Sequence, residues 1–229
     1  MPQGFCGASA EGVSDAGGVP DGVDAVHVGN PVRQAILDRA AAPYAAPDGG
    51  PLRLLVIGGS QGARVLSQTV PAAVAELPRD IRARLQVSHQ ARAEDVAAVA
   101  AAYAAAGVVA EVQPFFSDVP ERMARCHVIV SRAGASSLAE ITVIGRPAIL
   151  IPFAAATGDH QSANARALAE SDAAVVLPES VLDISSLTRD LNAILTDAAR
   201  ASAMASAALS MGRPDAAARL YDLVTEISS

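Results

Sequence analysis

The sequence predicts an α/β fold, a Rossmann-like parallel sheet with helices on both faces. Short apolar runs at residues 127–131 and 148–152 are bounded by turn residues, as buried strands are. A helical pattern opens at Ser137 between them, and a second helix follows near His160. The same alternation starts earlier, where a strand at 52–57 precedes a glycine turn and an amphipathic helix at 63–77. Strands that alternate with helices in this way pair in parallel and are covered on their faces.

The remaining elements extend this alternation along the chain. We predict strands at 84–89, 108–113 and 173–177, and helices at 32–40, 93–106, 119–125, 184–195, 197–209 and 214–227. Pro31 is expected to be the first residue of its helix, and Ser117 or Asp118 to cap the helix at 119–125. Residues 1–22 show neither the helical nor the strand periodicity of apolar residues and are expected to be irregular. Residues 23–50 are predicted to be an interdomain-type segment and linker, and residues 51–229 one Rossmann-like domain.

Composition and charge exclude several classes of protein. Although 51% of the residues are hydrophobic, no uninterrupted apolar run reaches the roughly 18 residues of a membrane-spanning helix. The net charge of -7 argues against a broad surface for polyanions, so nucleic acid is not expected as a partner. Cys6 and Cys126 form neither a zinc spacing nor a disulfide framework, and no cluster of His and carboxylates has ligand spacing. We therefore expect no metal and a reducing, cytoplasmic setting.

The first candidate site is the glycine turn that follows the strand at 52–57. Its residues Gly59, Ser60, Gln61 and Gly62 could let a phosphate approach the free backbone N–H groups at the start of the next helix. The spacing matches neither a P-loop nor the dinucleotide pattern G-x-G-x-x-G. A tight turn that needs glycine for packing alone remains the alternative.

The second candidate site lies in the segment 131–164, whose two polar loops should face one crevice at the carboxyl ends of the strands. Ser137 and Glu140 fit a capping box, yet Glu140 could equally accept hydrogen bonds from a sugar diol. Gln161 and Asn164 are three residues apart on one helix face and can place their amides on hydroxyls. His160 follows Asp159, but no nucleophile in a strained turn accompanies them, so a catalytic triad is not predicted.

Three further positions allow two interpretations each. Arg33 lies near a helix N-terminus and suits an anion or a polar ligand, whereas a solvated surface arginine is the alternative. His89 lies at a strand end, where a hydrogen-bonded structural histidine is the simpler interpretation than one that faces the crevice. For Phe115 and Phe116, one ring can fill the core while the other borders the crevice and packs on a base, or both rings can be core.

Four ordered motifs resemble those of the MurG family. They are GNPVR at 29–33, GGSQGAR at 58–64, SRAGA at 131–135 with Glu140, and DHQ at 159–161 with Asn164. The family is the peptidoglycan N-acetylglucosaminyltransferase, which uses UDP-N-acetylglucosamine to convert lipid I to lipid II. The resemblance covers roughly residues 26–227. It implies the C-terminal, donor-binding half of a B-type glycosyltransferase fold, so that residues 51–229 would form a nucleotide-sugar-binding domain.

The resemblance also implies roles for individual residues. Arg33 and Ser60 would contact the nucleotide sugar, Ser60 at the diphosphate, and Phe116 would lie beside the uracil and contact it through its backbone. Glu140 would take the ribose hydroxyls and Gln161 would reach the sugar. The turn at the diphosphate would consist of Ala135, Ser136 and Ser137, and less certain roles fall to Gly59, Gln61, Gly62, His160 and Asn164.

The implied partners follow from the same resemblance. UDP-N-acetylglucosamine would bind directly without a required metal or other cofactor. Lipid I, and a peripheral contact with the cytoplasmic face of the inner membrane, would depend on an N-terminal half that this chain is expected to lack. The catalytic residues on the acceptor side are therefore unassigned. Two alternatives stay open, a non-catalytic UDP-sugar-binding module and another sugar-nucleotide enzyme such as an epimerase.

Overall fold

A single parallel sheet forms the centre of the molecule. The computed structural model describes residues 26–59, 63–153 and 160–228. The six strands in these ranges are β1 (Leu52–Ile57), β2 (Leu85–Gln90), β3 (Val109–Gln113), β4 (Val128–Ser131), β5 (Ala148–Leu150) and β6 (Ala174–Val176). All neighbouring pairs are parallel, in the order β3-β2-β1-β4-β5-β6.

Ten helices accompany the strands in the described ranges. They are α1 (Gln34–Leu37), α2 (Arg64–Ala75), α3 (Arg79–Arg84), α4 (Val96–Ala105), α5 (Val119–Arg125), α6 (Ala135–Ile144), α7 (His160–Glu170), α8 (Ile184–Thr196), α9 (Ala198–Met211) and α10 (Ala216–Ile227). No helix in those ranges combines the length and the apolar character that crossing a membrane requires.

Helices cover both faces of the sheet, which confirms the predicted Rossmann-like fold. Successive side chains of a strand point to opposite faces, and the two cores divide β1 accordingly. Leu54 and Val56 belong to a buried cluster that contains side chains of α2, α4 and α8. Leu55 and Ile57 belong to a second buried cluster, with side chains of α5, α6 and α7. Strands buried on both faces read as continuous apolar runs, which is why the sequence predicted them well.

The strand order places a crevice at the centre of the sheet. The chain proceeds outward from β1 through β2 to β3, and then returns to place β4 on the other side of β1. Connections on the two sides of such a reversal diverge and open a crevice at the carboxyl ends of the strands. Here β1 and β4 end in register, with Ile57 opposite Ser131. The loops that follow these two strands therefore border the same space.

The helix predicted at 32–40 is shorter than expected. It spans only Gln34–Leu37 with Arg33 at its N-cap, so Pro31 is not its first residue as predicted. The chain leaves the helix because it turns to pack on α6. Ala41 adopts a left-handed conformation with φ 52, and its N–H donates to the carbonyl of Val143 at 3.0 Å. Tertiary contact, rather than local propensity, sets the end of this helix.

Other element boundaries also differ from the prediction. The helix after β4 begins at Ala135, with Gly134 at its N-cap, rather than at Ser137. The six-residue helix α3 was not predicted; it follows Pro78 and carries Asp80 in its first turn, both of which favour a helix start. Asp118 occupies the N-cap of α5, but its carboxylate accepts from Arg122 at 2.8 Å instead of capping the backbone.

A buried arginine joins the segment before β1 to the rest of the fold. Arg146 is 1% exposed, and its guanidinium lies 5.5 Å from the ring centroid of Tyr44. It donates hydrogen bonds to six backbone carbonyls, those of Ala42, Pro43, Met123, Ala124, Ile144 and Gly145. These contacts hold the segment against α5 and α6.

Candidate functional site

A cleft of about 640 Å³ lies at the carboxyl ends of the strands, where the polar loops were predicted to meet. It is bordered by the ends of β1, β2, β4 and β5 and by the starts of α2, α6 and α7. The residues that line it are Gly58, Gly59, Ala63, Arg64, Val65, Arg92, Arg132, Gly134, Ala135, Ser136, Ser137, Phe153 and Gln161. The structure thus brings together residues from three of the four motifs.

Two of the helices that start at this cleft lack a side-chain cap. The N-caps of α2 and α6 are Ala63 and Gly134, and no side chain of the described residues accepts a cap hydrogen bond there. By contrast, Asp183 and Asp197 cap α8 and α9 away from the cleft. The first N–H groups of a helix need partners and carry the positive end of its dipole. At α2 and α6 they are available to an anion in the cleft.

Three arginines add positive charge to the same cleft. Arg64 is the first residue of α2, and it has no hydrogen-bond or ion-pair partner among the described residues. Arg92 follows β2 and lies 3.9 Å from Glu94, and Arg132 follows β4 directly and pairs with Glu179. A cation at a helix N-terminus is unfavourable unless something negative binds beside it. Arg64 therefore makes the start of α2 cationic on a chain whose net charge is -7.

The predictions for these arginines were incomplete. Arg64 and Arg132 belong to the family motifs, but no individual role was predicted for them or for Arg92. A usable signal existed, because Arg132 comes directly after a predicted strand and Arg92 within three residues of one. In a parallel sheet, those positions lie at the edge where ligands bind.

The predicted residues of α6 and α7 have clear positions. Ala135, Ser136 and Ser137 form the first turn of α6 and line the cleft. Gln161 lines it from the first turn of α7, and its Oε1 accepts a hydrogen bond from the N–H of Phe153 at 3.0 Å. Asn164, three residues on, is half-buried on α7 and does not line the cleft.

Glu140 is paired with Arg33 rather than engaged in a capping box. Its Oε1 and Oε2 accept from Nε and Nη2 of Arg33 at 3.0 and 3.3 Å. The capping-box interpretation is wrong because α6 begins two residues earlier than predicted, which leaves Glu140 beyond the first turn. The Glu140 side chain is 15% exposed and that of Arg33 is 57% exposed. Neither lines the cleft itself, but both lie along α6 beside it.

The segment that carries Arg33 follows the first half of α6. Asn30 lies three residues before Arg33, and its Nδ2 is 3.5 Å from the Oγ of Ser136, which lines the cleft. The two contacts place the GNPVR motif next to the start of α6. An arginine and a carboxylate assigned to one ligand are therefore neighbours across the fold.

Only part of one interpretation of the two phenylalanines holds, since one ring is buried but the other does not border the cleft. Phe116 is 3% exposed, and the guanidinium carbon of Arg122 lies 4.1 Å from its ring centroid. Phe115 is 68% exposed. Neither ring is among the residues that line the cleft. Packing of a ring on a base is therefore not supported, and only the backbone of Phe116 remains available for the predicted contact.

His89 is structural, as the simpler interpretation predicted. The residue is fully buried, and its Nδ1 lies 2.9 Å from the hydroxyl of Tyr103. Burial lowers the pKa of His89 to about 4, so the ring is neutral near pH 7. A buried, neutral imidazole that faces α4 has no access to the cleft.

Some predicted residues lie outside the part of the chain that the structure describes. They are Ser60, Gln61, Gly62 and Asp159, together with the side chain of His160. Gly59 is described and has a positive φ of +82° in the turn after β1. In the described ranges, no group of three or more His, Cys, Asp or Glu could hold a metal ion.

Comparisons with known proteins identify the family of this chain. The model of the glycosyltransferase family 28 C-terminal domain matches residues 53–220. The curated UDP-N-acetylglucosamine--N-acetylmuramyl-(pentapeptide) pyrophosphoryl-undecaprenol N-acetylglucosamine transferase of Rhodospirillum centenum is 52% identical over 208 residues, which are 89% of this chain and 55% of that protein. The enzyme of the same name from a Methylobacterium species is 51% identical over 222 residues, 95% of this chain and 59% of that protein.

A solved structure shows the same relation. The crystal structure of Acinetobacter baumannii MurG superposes with a TM-score of 0.75 at 28% identity, covering 93% of this chain and 59% of that one. The chain thus spans a little over half the length of the relatives it matches. The resemblance to the MurG family is confirmed, and the chain belongs to glycosyltransferase family 28 through that family's C-terminal domain.

Proposed function

We propose that this chain is the donor-binding half of a peptidoglycan N-acetylglucosaminyltransferase. In this role it binds UDP-N-acetylglucosamine, and an acceptor half supplies lipid I, which becomes lipid II. The observation that carries the proposal is the convergence of the uncapped starts of α2 and α6 on one cleft that Arg64 and Arg92 also line. Free N–H groups and guanidinium ions together are suited to a diphosphate.

The same groups are suited to assist departure of the leaving group. When an acceptor hydroxyl attacks the anomeric carbon with inversion, its proton passes to a base on the acceptor side. The bond to the diphosphate breaks and its electron pair stays on UDP. Negative charge then grows on the diphosphate oxygen as the bond lengthens. Fixed N–H dipoles and arginines aimed at that charge stabilise the transition state more than the ground state. This explains how the family could work without a required metal.

The remaining site residues extend the proposal along the nucleotide sugar. Glu140 accepts from the ribose hydroxyls beside the start of α6, with Arg33 as its neighbour, and Phe116 contacts the uracil through its backbone. Gln161 donates to the sugar from the first turn of α7. The proposed contributions from the glycine turn come from Gly59, Ser60, Gln61 and Gly62, and those from α7 come from His160 and Asn164.

The transferase is favoured over the two alternatives by the identity of the relatives. Two curated relatives that are about half identical to this chain are both named as N-acetylglucosamine transferases. That level of identity supports the same chemistry more than an epimerase of similar fold. A non-catalytic UDP-sugar-binding module has the same cleft, and only an activity measurement separates it from the transferase. We place the chain in the cytoplasm, with membrane contact supplied by the acceptor half.

The purified chain is expected to bind both UDP and UDP-N-acetylglucosamine. The diphosphate that they share should occupy the cleft, where the helix N-termini lie. Isothermal titration calorimetry measures this directly, with circular dichroism to establish that the sample is folded. ADP serves as the matched control because it carries the same diphosphate on a different base. No heat with either uridine ligand on a folded sample would overturn the proposal.

Glu140→Gln is expected to weaken UDP binding by about 1.5–3 kcal/mol, because it removes a charged acceptor from the ribose hydroxyls. Its effect on folding should be small, since the ion pair with Arg33 is half-exposed and such pairs contribute about 0–1 kcal/mol. Calorimetry and thermal melting measure the two effects on the same samples.

The control for this substitution is Glu121→Gln. Glu121 also pairs with an arginine, Arg39 at 2.6 Å, but it lines a separate groove rather than the cleft. This variant should bind UDP as the parent does. If Glu140→Gln lowered the melting temperature and left the affinity unchanged, Glu140 would have only a structural role.

A further inference from the structure

The turn after β5 is held by an arginine from the neighbouring strand. Ile151 still belongs to the sheet ladder, since its N–H donates to the carbonyl of Ser131 at 2.8 Å. Pro152 has no N–H and cannot continue the ladder. Arg132 takes over, and its Nη1 donates to the carbonyls of Ile151 and Pro152 at 3.2 and 3.3 Å. Without Arg132, these two buried carbonyls would lack a hydrogen-bond partner.

The same arginine lies over the next residue of the turn. The guanidinium carbon of Arg132 is 5.2 Å from the ring centroid of Phe153, within the range of a cation–π contact. The N–H of Phe153 then donates to Oε1 of Gln161 at 3.0 Å. A backbone N–H can pair only with the oxygen of an amide, so this contact fixes which end of Gln161 faces the turn. Its NH₂ group is left as the donor for a ligand.

The charge of Arg132 is balanced from a loop that does not line the cleft. The Arg132 side chain is only 12% exposed, and Nη1 forms an ion pair with Oε1 of Glu179, whose side chain is 27% exposed. Glu179 lies in the loop between β6 and α8. A guanidinium this far removed from water needs a counter-charge to keep its position. Glu179 supplies it and is not among the residues that line the cleft.

We infer that Glu179 is a positioning residue for the donor sugar. Acting through Arg132, it holds the turn at 151–153 and thereby directs the NH₂ group of Gln161 toward the sugar. The inference rests on the proposed function, in which the cleft holds a UDP-sugar and Gln161 reaches its sugar. Because the helix N-termini and Arg64 are assigned to the diphosphate, whereas Arg132 is engaged with the turn and Glu179, the effect of Glu179 should be confined to the sugar. The affinity for UDP itself should not depend on Glu179.

Glu179→Ala is expected to weaken UDP-N-acetylglucosamine binding while leaving UDP binding unchanged. The loss of one well-oriented hydrogen bond corresponds to roughly threefold to tenfold in affinity. Calorimetry with both ligands on the 229-residue chain measures the two affinities separately. The control is Glu121→Ala, which removes another half-exposed glutamate paired with arginines, Arg39 and Arg125, outside the cleft. It should change neither affinity.

A double variant tests whether Glu179 acts through Gln161. Gln161→Ala should lower the affinity for UDP-N-acetylglucosamine, and Glu179→Ala added to it should cause no further loss, since coupled residues are not additive. Glu179→Gln keeps an acceptor for Arg132 and should recover part of the affinity. It also replaces the alanine variant if that variant does not fold.

Each other outcome overturns a stated step. Equal losses for UDP and UDP-N-acetylglucosamine would make Glu179 merely structural, and no loss for either would remove its role. Additive losses in the double variant would show that Glu179 does not act through Gln161. A folded parent chain that bound neither ligand would overturn the proposed function, and this inference with it. Ligand binding by the parent chain therefore distinguishes failure of the proposed function from failure of the inference about Glu179.

Discussion

The 229-residue polypeptide alone is expected to transfer no N-acetylglucosamine to lipid I. An attacking hydroxyl must be held close to the anomeric carbon, and such positioning accounts for roughly 7–11 kcal/mol of a barrier. In the proposed function, the polar groups of the described cleft are all used by the donor. None is assigned to the acceptor or to its lipid. Incubation with radiolabelled UDP-N-acetylglucosamine and lipid I, followed by chromatography of the lipid product, measures the transfer.

Addition of a MurG-type N-terminal half should restore part of the activity. The N-terminal half alone provides the control for contaminating enzyme. A mixture that contains the Glu140→Gln chain should be less active than one with the parent, because the donor then binds less well. Robust turnover by the isolated chain would mean that the acceptor is positioned by residues of this polypeptide. An inactive mixture, with UDP binding intact, would favour the non-catalytic module.

The fold was predictable because its signals are local. The strand β1 was predicted at its observed bounds, since an apolar run that ends in two glycines has few other interpretations. The helix α5 was also predicted at its observed bounds. The helix at 32–40 was not, because a contact with α6 ends it, and α3 is too short for periodicity to reveal. The predicted element boundaries were wrong where tertiary contacts, rather than local propensity, determine where an element ends.

The location of the cleft was predictable, but the pairings of its residues were not. The rule that ligands bind at the carboxyl ends of parallel strands identified the edge of the sheet at which the cleft lies. Arg33 and Glu140, however, are separated by 107 positions in the sequence, and no local pattern connects them. Ser137 and Glu140 have the spacing of a capping box wherever the helix starts. A start two residues earlier was enough to make that interpretation wrong.

The arginines show most clearly that contacts between distant residues cannot be predicted from local sequence patterns. From the sequence, Arg132 and Arg146 resemble other surface arginines, because nothing in the neighbouring residues reveals burial. In the structure, each supplies hydrogen bonds to backbone carbonyls where the regular ladder stops or the chain turns. Such a role depends on which carbonyls the fold leaves without partners, and this is known only once the fold is complete.

Arg146→Met is expected to lower the free energy of unfolding by about 3–5 kcal/mol. Methionine fills much of the space but donates no hydrogen bond, so six buried or half-buried carbonyls lose a partner at once. Breaking such a buried polar network typically has this magnitude. For a domain of this size, the melting temperature should fall by roughly 6–20 °C. Urea denaturation and thermal melting followed by circular dichroism measure both quantities.

The matched control is Arg125→Met, since Arg125 is 69% exposed and pairs only with the carboxylate of Glu121 among the described residues. Its free energy of unfolding should change by about 0.5 kcal/mol or less, as expected at an exposed position. The same loss for both variants would mean that methionine itself, rather than the missing donors, destabilises the fold. A stable Arg146→Met variant would mean that water satisfies the carbonyls. In that case the segment before β1 would be held by its apolar contacts with α6, such as those of Ile36.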